Sequence, residues 1–318
     1  MDPPLVSHAV FPIYGKERWF LRKSRSIFVA ITMFVALLTL ASAACSGGST
    51  QPVLRVGGIP DQDTHRLMRR YQVFSDYLSQ QLRVQVEYVP SIDYAAVVTA
   101  FSQDELQVAF FGGLTGVQAR LQNPGAQAIA QREHDARFHS RFIVREGLSM
   151  DSLAELKDQA QGLTITFGSE SSTSGHLMPR YFLTQAGIDP DEDFQSLPNF
   201  SGSHDLTWQL VQSGSFDVGV LSEDVWNRAV NNGKVDGSKV REFYTTPDYF
   251  DYNWTVRPNL DQVYGEGFSG KLRQALLALN TQEHGEILEL FNTEGFIESN
   301  NSNYRNIESV ARGLGIVK

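Results

Sequence analysis

From residue 53 onward the chain alternates between two hydrophobic periods, and it goes through that alternation twice. Residues 53–59 read as a strand. Residues 67–82 carry Leu67, Tyr71, Phe74, Tyr77, Leu78 and Leu82 at close to helical spacing. Residues 84–89 alternate as a strand does, 94–101 read as a helix, 106–111 as a buried strand, 115–121 as a short helix and 126–130 as another strand. A β-α-β-α-β order needs crossover connections, so it predicts a mostly parallel sheet with helices on both faces. The pattern then restarts. Strands are expected at 142–144, 163–167 and 216–221, and helices at 152–157, 176–186 (closed by Gly187), 206–212 and 225–230. An extended stretch runs over 243–256, and helices at 272–279 and 287–291 close the chain. Two α/β units of about 100 residues each, with no Pro/Ser-rich linker between them, read as lobes joined by crossing strands.

Composition narrows what such a fold can serve. Of 318 residues, 42% are hydrophobic and 20% charged, which is neither a disordered chain nor a polytopic membrane protein. One cysteine excludes a disulfide scaffold and any multi-cysteine metal site. The net charge of −9 argues against nucleic acid as a partner, because phosphate neutralisation needs a basic face. That charge is unevenly placed. Residues 1–44 hold Lys16, Arg18, Arg22, Lys23 and Arg25 against Asp2 and Glu17, net +3, so the remainder carries −12. The basic cluster precedes an apolar run over 27–40, shorter than the roughly 20 residues of a membrane span. Ala41-Ser42-Ala43-Ala44 follow. This is a secretory signal pattern over 1–44. Cys45 comes next, at the head of a flexible tether over 45–52. The junction resembles a bacterial lipoprotein signal in which Cys45 is lipidated. Ser42 departs from it, where lipoproteins usually have Leu; plain cleavage near Ala43 or Ala44 is the alternative.

The segment that carries chemistry is Phe167-Gly168-Ser169-Glu170-Ser171-Ser172-Thr173-Ser174-Gly175, after a strand and before a helix. Hydroxyls gathered beside free backbone N–H groups at the positive end of a helix make an anion site. Gly175 lets backbone approach a ligand closely. An ordinary N-cap needs one Ser or Thr, not four in a row. Other motifs fail. Residues 265–271 match phosphate-loop spacing up to Lys271, but Leu272 replaces the required Ser/Thr and no buried strand precedes them. No G-x-S-x-G elbow or H-E-x-x-H is present, and the seven histidines are scattered.

Ser171-Ser172-Thr173-Ser174-Gly175-His176-Leu177-Met178-Pro179 resembles the signature of the phosphonate/phosphite-binding proteins of ABC importers. Asp93-Tyr94-Ala95-Ala96, Phe110-Phe111-Gly112-Gly113-Leu114 and Gly202-Ser203-His204-Asp205 are similar to that family's other site segments in order and spacing. Residues 200–204 and 111–120 resemble still more the branch named for selenate binding. The resemblance implies a type II periplasmic binding protein fold: lobe 1 at 53–141 plus 250–318, lobe 2 at 142–249, and a ligand cleft between them. It implies transport of a small oxyanion to a permease and its ATPase in the inner membrane, from the periplasm or the outer face of the cytoplasmic membrane, with no cofactor, metal or catalysis. Carried over residue by residue, Ser171, Ser172, Thr173 and Ser174 would hold the anion's oxygens, Tyr94 would donate from the facing lobe, and His204 would contact an oxygen from the second. Glu223 and Asp251 would accept a ligand proton or amine, and Tyr252 would wall the cleft. Phe111 stands where the family's phosphonate binders have a tyrosine, which makes the pocket drier and favours a compact anion.

Each assignment has a plainer rival. Tyr94 can be a core aromatic, Glu223-Asp224 a solvated helix cap, and Asp251 a buried carboxylate that needs a partner. A ligand-sensing domain without transport, a selenite or selenate binder, and a hydrolase built on His204 and Asp205 are the alternative functions.

Overall fold

The computed structural model describes residues 52–318; the expected signal segment, all but the last residue of the tether, and Cys45 lie outside them. β1 (Leu54–Gly58) leads into α1 (Thr64–Leu82). Asp63 caps α1 by accepting the N–H groups of His65 and Arg66. The helix buries Leu67, Tyr71, Phe74, Leu78 and Leu82, a stripe at three- and four-residue spacing that packs on the sheet. β2 (Val86–Tyr88), α2 (Tyr94–Ser102), β3 (Val108–Phe111), α3 (Gly113–Gln122) and β4 (Gln127–Arg132) complete the first run. The chain then crosses to a second sheet through β5 (Ser140–Arg145), α4 (Leu153–Gln159), β6 (Ile165–Phe167), α5 (Met178–Gln185), β7 (Asn199–Phe200), α6 (His204–Gln212), β8 (Val218–Ser222), α7 (Glu223–Asn231) and β9 (Val240–Thr245). It returns through β10 (Asn253–Val256), α8 (Leu260–Tyr264), α9 (Phe268–Leu277), α10 (Thr281–Phe291), β11 (Phe296–Glu298) and α11 (Arg305–Gly313).

The first sheet has the order β11-β4-β10-β3-β1-β2 and the second β7-β6-β8-β5-β9. Both are mixed, which corrects the mostly parallel expectation. β1 runs parallel to β2 and β3, but β10 runs antiparallel to β3 and β4. In the second sheet β6 is parallel to β7 and β8, while β5 is antiparallel to β8 and β9. The reason lies in the crossings. β10 arrives from the other sheet at the end where β3 finishes, with Asn253 opposite Phe111, and so must run against it. β5 enters the second sheet in the same way.

The extended stretch expected over 243–256 is two strands in different sheets, linked by a segment in which Tyr249 bridges to Phe138. The chain closes on β11 and α11, not on the helix over 281–291. Ile307, Val310 and Ala311 recur at helical spacing, so α11 was readable from its pattern. Apolar packing holds each sheet. One core surrounds the first, built on Phe74, Phe110, Trp254 and Phe291. The second is covered on both faces: Phe142 and Val144 of β5 enter one core and Ile143 the other, the two-residue alternation of a strand. Each such large side chain contributes about 1.5–3 kcal/mol by leaving water.

Candidate functional site

The hydroxyl-rich segment forms a widened turn where β6 ends. Leu177 N–H donates to Ser172 O and Met178 N–H to Thr173 O, both five-residue bonds, so Thr173–Leu177 is a single π-helical turn before α5. Such turns concentrate at functional sites because they push side chains and backbone out of helical register. Ser172 Oγ accepts Gly175 N–H at 2.9 Å, and Gly168 N–H donates to Gly175 O at 2.8 Å, which pins both ends of the segment. Ser172, Thr173 and Ser174 are buried. The next histidine is structural: His176 Nδ1 sits 2.7 Å from Glu170 O and Nε2 accepts Arg180 Nε–H at 2.9 Å.

Four other elements meet this turn. His204 starts α6, and its ring lies so near that a Cβ on Gly175 would come within 2.9 Å of His204 Cε1, which is why glycine stands there. The ring's Nδ1 accepts Ser222 N–H at 3.3 Å, leaving Nε2 protonated, buried and unpaired. Burial pushes the imidazole down to about 4, so at neutral pH it is an uncharged N–H donor. Thr173 Oγ1 accepts Leu114 N–H at 3.0 Å from the start of α3. Tyr94 starts α2, whose N-cap is Asp93, and its hydroxyl is buried without a partner. Asp251 follows from the return crossing. Its Oδ1 accepts Gly113 N–H at 2.9 Å, and its Oδ2 is buried and unpaired. Burial pushes this carboxyl up to about 7, against the pull of Gly113 N–H and of the Thr173 and Ser174 hydroxyls. A Cβ on Gly112 would lie 3.1 Å from Thr173 Oγ1, 3.3 Å from Asp251 Oδ1 and 3.5 Å from Ile59 Cδ1, so these groups converge on a bare stretch of backbone. The result is a buried set of donors with one acceptor among them.

Not every expected residue joins this group. Ser171 is half-buried at the start of the turn, its N–H on Ser169 Oγ. Glu223 has both carboxylate oxygens engaged: Oε1 accepts His139 N–H at 3.0 Å, and Oε2 accepts Arg141 Nη2 at 3.2 Å. Its neighbour Asp224 is no solvated cap. It is buried and accepts Arg132 Nη1 at 2.6 Å, and although burial opposes ionisation, Arg132 and His134 hold it well below the usual carboxylate range. Phe111 packs edge-on to Phe101 at 5.4 Å, whereas Phe110 stacks on Tyr252 at 5.3 Å. Adjacent strand residues face opposite ways, so the wall shared by Phe111 and Tyr252 is corrected: Tyr252 shares its packing with Phe110. Apolar atoms also border the cluster, Ile59 Cδ1 beside Gly112 and Ile307 Cγ1 beside Gly113. The sequence reading also passed over Asp61, a buried carboxylate just past the end of β1 that accepts the Tyr252 hydroxyl at 3.0 Å. Its place outside the carboxyl end of a parallel strand, where α/β folds bind ligands, was the available signal.

Three comparisons bear on this arrangement. The family model for the periplasmic substrate-binding protein of phosphonate ABC transporters matches residues 56–304. The chain is 43% identical over 274 residues to the probable ABC transporter phosphite-binding protein PhnD1 of Prochlorococcus marinus, across 85% of this chain and 92% of that protein. The structure of PhnD1 in complex with methylphosphonate is similar at a TM-score of 0.80 and 44% identity, over 83% of this chain and 99% of that one. A phosphate-import protein of Mycolicibacterium smegmatis is 27% identical over 208 residues, 59% of this chain and 64% of that protein.

Proposed function

The chain belongs to the periplasmic substrate-binding proteins of phosphonate ABC transporters, and from that premise we propose that its ligand is a compact phosphorus oxyanion, phosphite or methylphosphonate, which shares a proton with Asp251. The protein works outside the cytoplasm, hands a small ligand to a membrane permease, and is a transport component, not an enzyme. In this reading lobe 1 is 53–141 plus 250–318 and supplies Tyr94 and Asp251, and lobe 2 is 142–249 and supplies Ser172, Thr173, Ser174 and His204. The single observation that carries the ligand assignment is the unpaired Asp251 Oδ2 among otherwise donating groups. A fully deprotonated dianion such as sulfate or selenate has only acceptor oxygens, so an ionised Asp251 repels it. Phosphite, methylphosphonate, phosphate and selenite each bring a proton near neutral pH. Phosphate adds a fourth oxygen, which in this reading is left without a donor, at a cost of about 1–3 kcal/mol. The likeness to PhnD1, named for phosphite and solved with methylphosphonate, supports the same choice.

Calorimetric titration of the mature protein should rank phosphite and methylphosphonate first, selenite and then phosphate below them, and sulfate and selenate last. The gap from first to last should be about a hundredfold or more, the worth of one opposed and one missing charged hydrogen bond. Selenate binding that survives a thousandfold excess of phosphite means that Asp251 does not face the ligand.

A second proposal concerns anchoring. Cys45 carries a lipid that holds the protein at the outer face of the membrane; support comes from its place directly after a signal pattern as the only cysteine of the chain. Mass spectrometry of the mature amino terminus should find a lipidated Cys45, and an unmodified terminus near residue 45 refutes the anchor.

A further inference from the structure

We propose that Asp61 sets the discrimination between methylphosphonate and phosphate by taking up the one proton of the Tyr252 hydroxyl, an inference that rests on the phosphorus-oxyanion reading above. Asp61 follows Pro60 in the loop after β1 and is 2% exposed. Its Oδ2 accepts Tyr252 Oη–H at 3.0 Å and Gln62 Nε2–H at 3.2 Å. Its Oδ1 has no hydrogen bond and lies 3.7 Å from Arg70 Nη1. Arg70 is buried as well and is held by its own bond to Leu290 O at 3.0 Å. The backbone carbonyl of Asp61 accepts His204 N–H at 3.3 Å, so the loop that carries the carboxylate also touches the first residue of α6.

The Tyr252 ring is held in place beside Asp61. The ring stacks on Phe110 at 5.3 Å, meets the edge of Phe138 at 5.5 Å, and lies under the Arg132 guanidinium at 4.6 Å. A phenol has one O–H to give, and a carboxylate is the strongest acceptor within its reach. The two tyrosines of the site therefore differ. Tyr94 keeps an unpaired hydroxyl to offer an anion, while Tyr252 presents an oxygen that can only accept. A ligand with three oxygens and an apolar substituent loses nothing by this. The phosphate dianion brings a single proton, which Asp251 takes, so its fourth oxygen meets an acceptor and is left without a donor. Removing the Asp61 carboxylate releases the Tyr252 proton toward that oxygen.

The test is a cycle of Asp61→Ala, Tyr252→Phe and the double variant, each titrated with methylphosphonate and with phosphate near pH 7, where methylphosphonate still brings a proton for Asp251 and much of the phosphate is the dianion. The preference for methylphosphonate over phosphate should fall about tenfold in Asp61→Ala, one charged hydrogen bond regained. It should return to about the wild-type ratio in the double variant, which has no hydroxyl left to release. An unchanged ratio in Asp61→Ala overturns the proposal. So does a relaxed ratio that persists in the double variant, because the effect would then come from the charge of Asp61 alone. Should circular dichroism find Asp61→Ala unfolded, Tyr252→Phe decides by itself: a ratio near that of the wild type supports the proposal, and a tenfold change means that the hydroxyl already meets the ligand, which overturns it. A wild-type protein without any preference removes the ligand reading and this inference together. A preserved wild-type preference with no response in Asp61→Ala removes this inference alone.

Discussion

Replacing Asp251 with alanine is expected to weaken phosphite binding about a hundredfold near pH 7. The ligand's proton no longer finds the buried Oδ2, a charged hydrogen bond worth about 1.5–3 kcal/mol. Gly113 N–H, which now donates to Oδ1 at 2.9 Å, loses its partner in the free and the bound protein alike, so that loss lowers stability and not affinity. Sulfate should respond in the opposite direction, gaining in the variant once the opposing charge is gone. Titration calorimetry with both anions measures the two together, and equal losses for phosphite and sulfate would place Asp251 outside the ligand's reach. The same carboxyl ties stability to pH. Burial raises it from 3.8 in the unfolded chain to about 7 in the fold, so between those values the native state holds a proton that the unfolded state has released. Its contribution to stability is therefore complete below the lower value and is lost as pH rises through about 7. Urea unfolding of the ligand-free wild type, taken relative to Asp251→Ala, should lose up to about 1.4 kcal/mol per pH unit across that window and level off above it. A difference that stays flat across that window would mean the carboxyl is ionised throughout.

Thr173→Ala should lower affinity for the same ligand at least about tenfold. The Thr173 hydroxyl does two things at once. Its oxygen accepts Leu114 N–H at 3.0 Å, drawing the start of α3 against the turn, and its proton is left to give to Asp251 or to an anion. Alanine removes the ligand's bond and strands the Leu114 N–H. Serine keeps the hydroxyl, so Thr173→Ser should recover most of the affinity, an outcome a purely packing role for the methyl group would not produce. Titrations of Thr173→Ala and Ser172→Ala that match the wild type would return this segment to the status of an ordinary helix cap.

The chemistry of the turn was legible because it is local. Four hydroxylated residues in a row after a strand, with Gly175 next to them, cannot be explained by capping alone, and the turn they form engages its own backbone through Ser172 and Gly175. The two runs of alternating period were legible for the same reason, since a helix stripe and a strand alternation are written within a dozen residues. What lay beyond local pattern was decided by packing. Alternation along β3 determines that Phe110 and Phe111 face opposite ways, but not which of them meets Tyr252. The direction of β5 and β10 depends on where the chain crosses between sheets, and a crossing has no periodicity of its own. Charges were the least legible. Glu223 is claimed by Arg141, Asp224 by Arg132, and Tyr252 by Asp61, partners 82, 92 and 191 positions apart. Composition and spacing determined by themselves that this chain builds two α/β units with a hydroxyl-lined turn after a strand. Only the tertiary structure decided which carboxylates stay free to face a ligand, because a buried charge takes whichever partner the fold brings within reach.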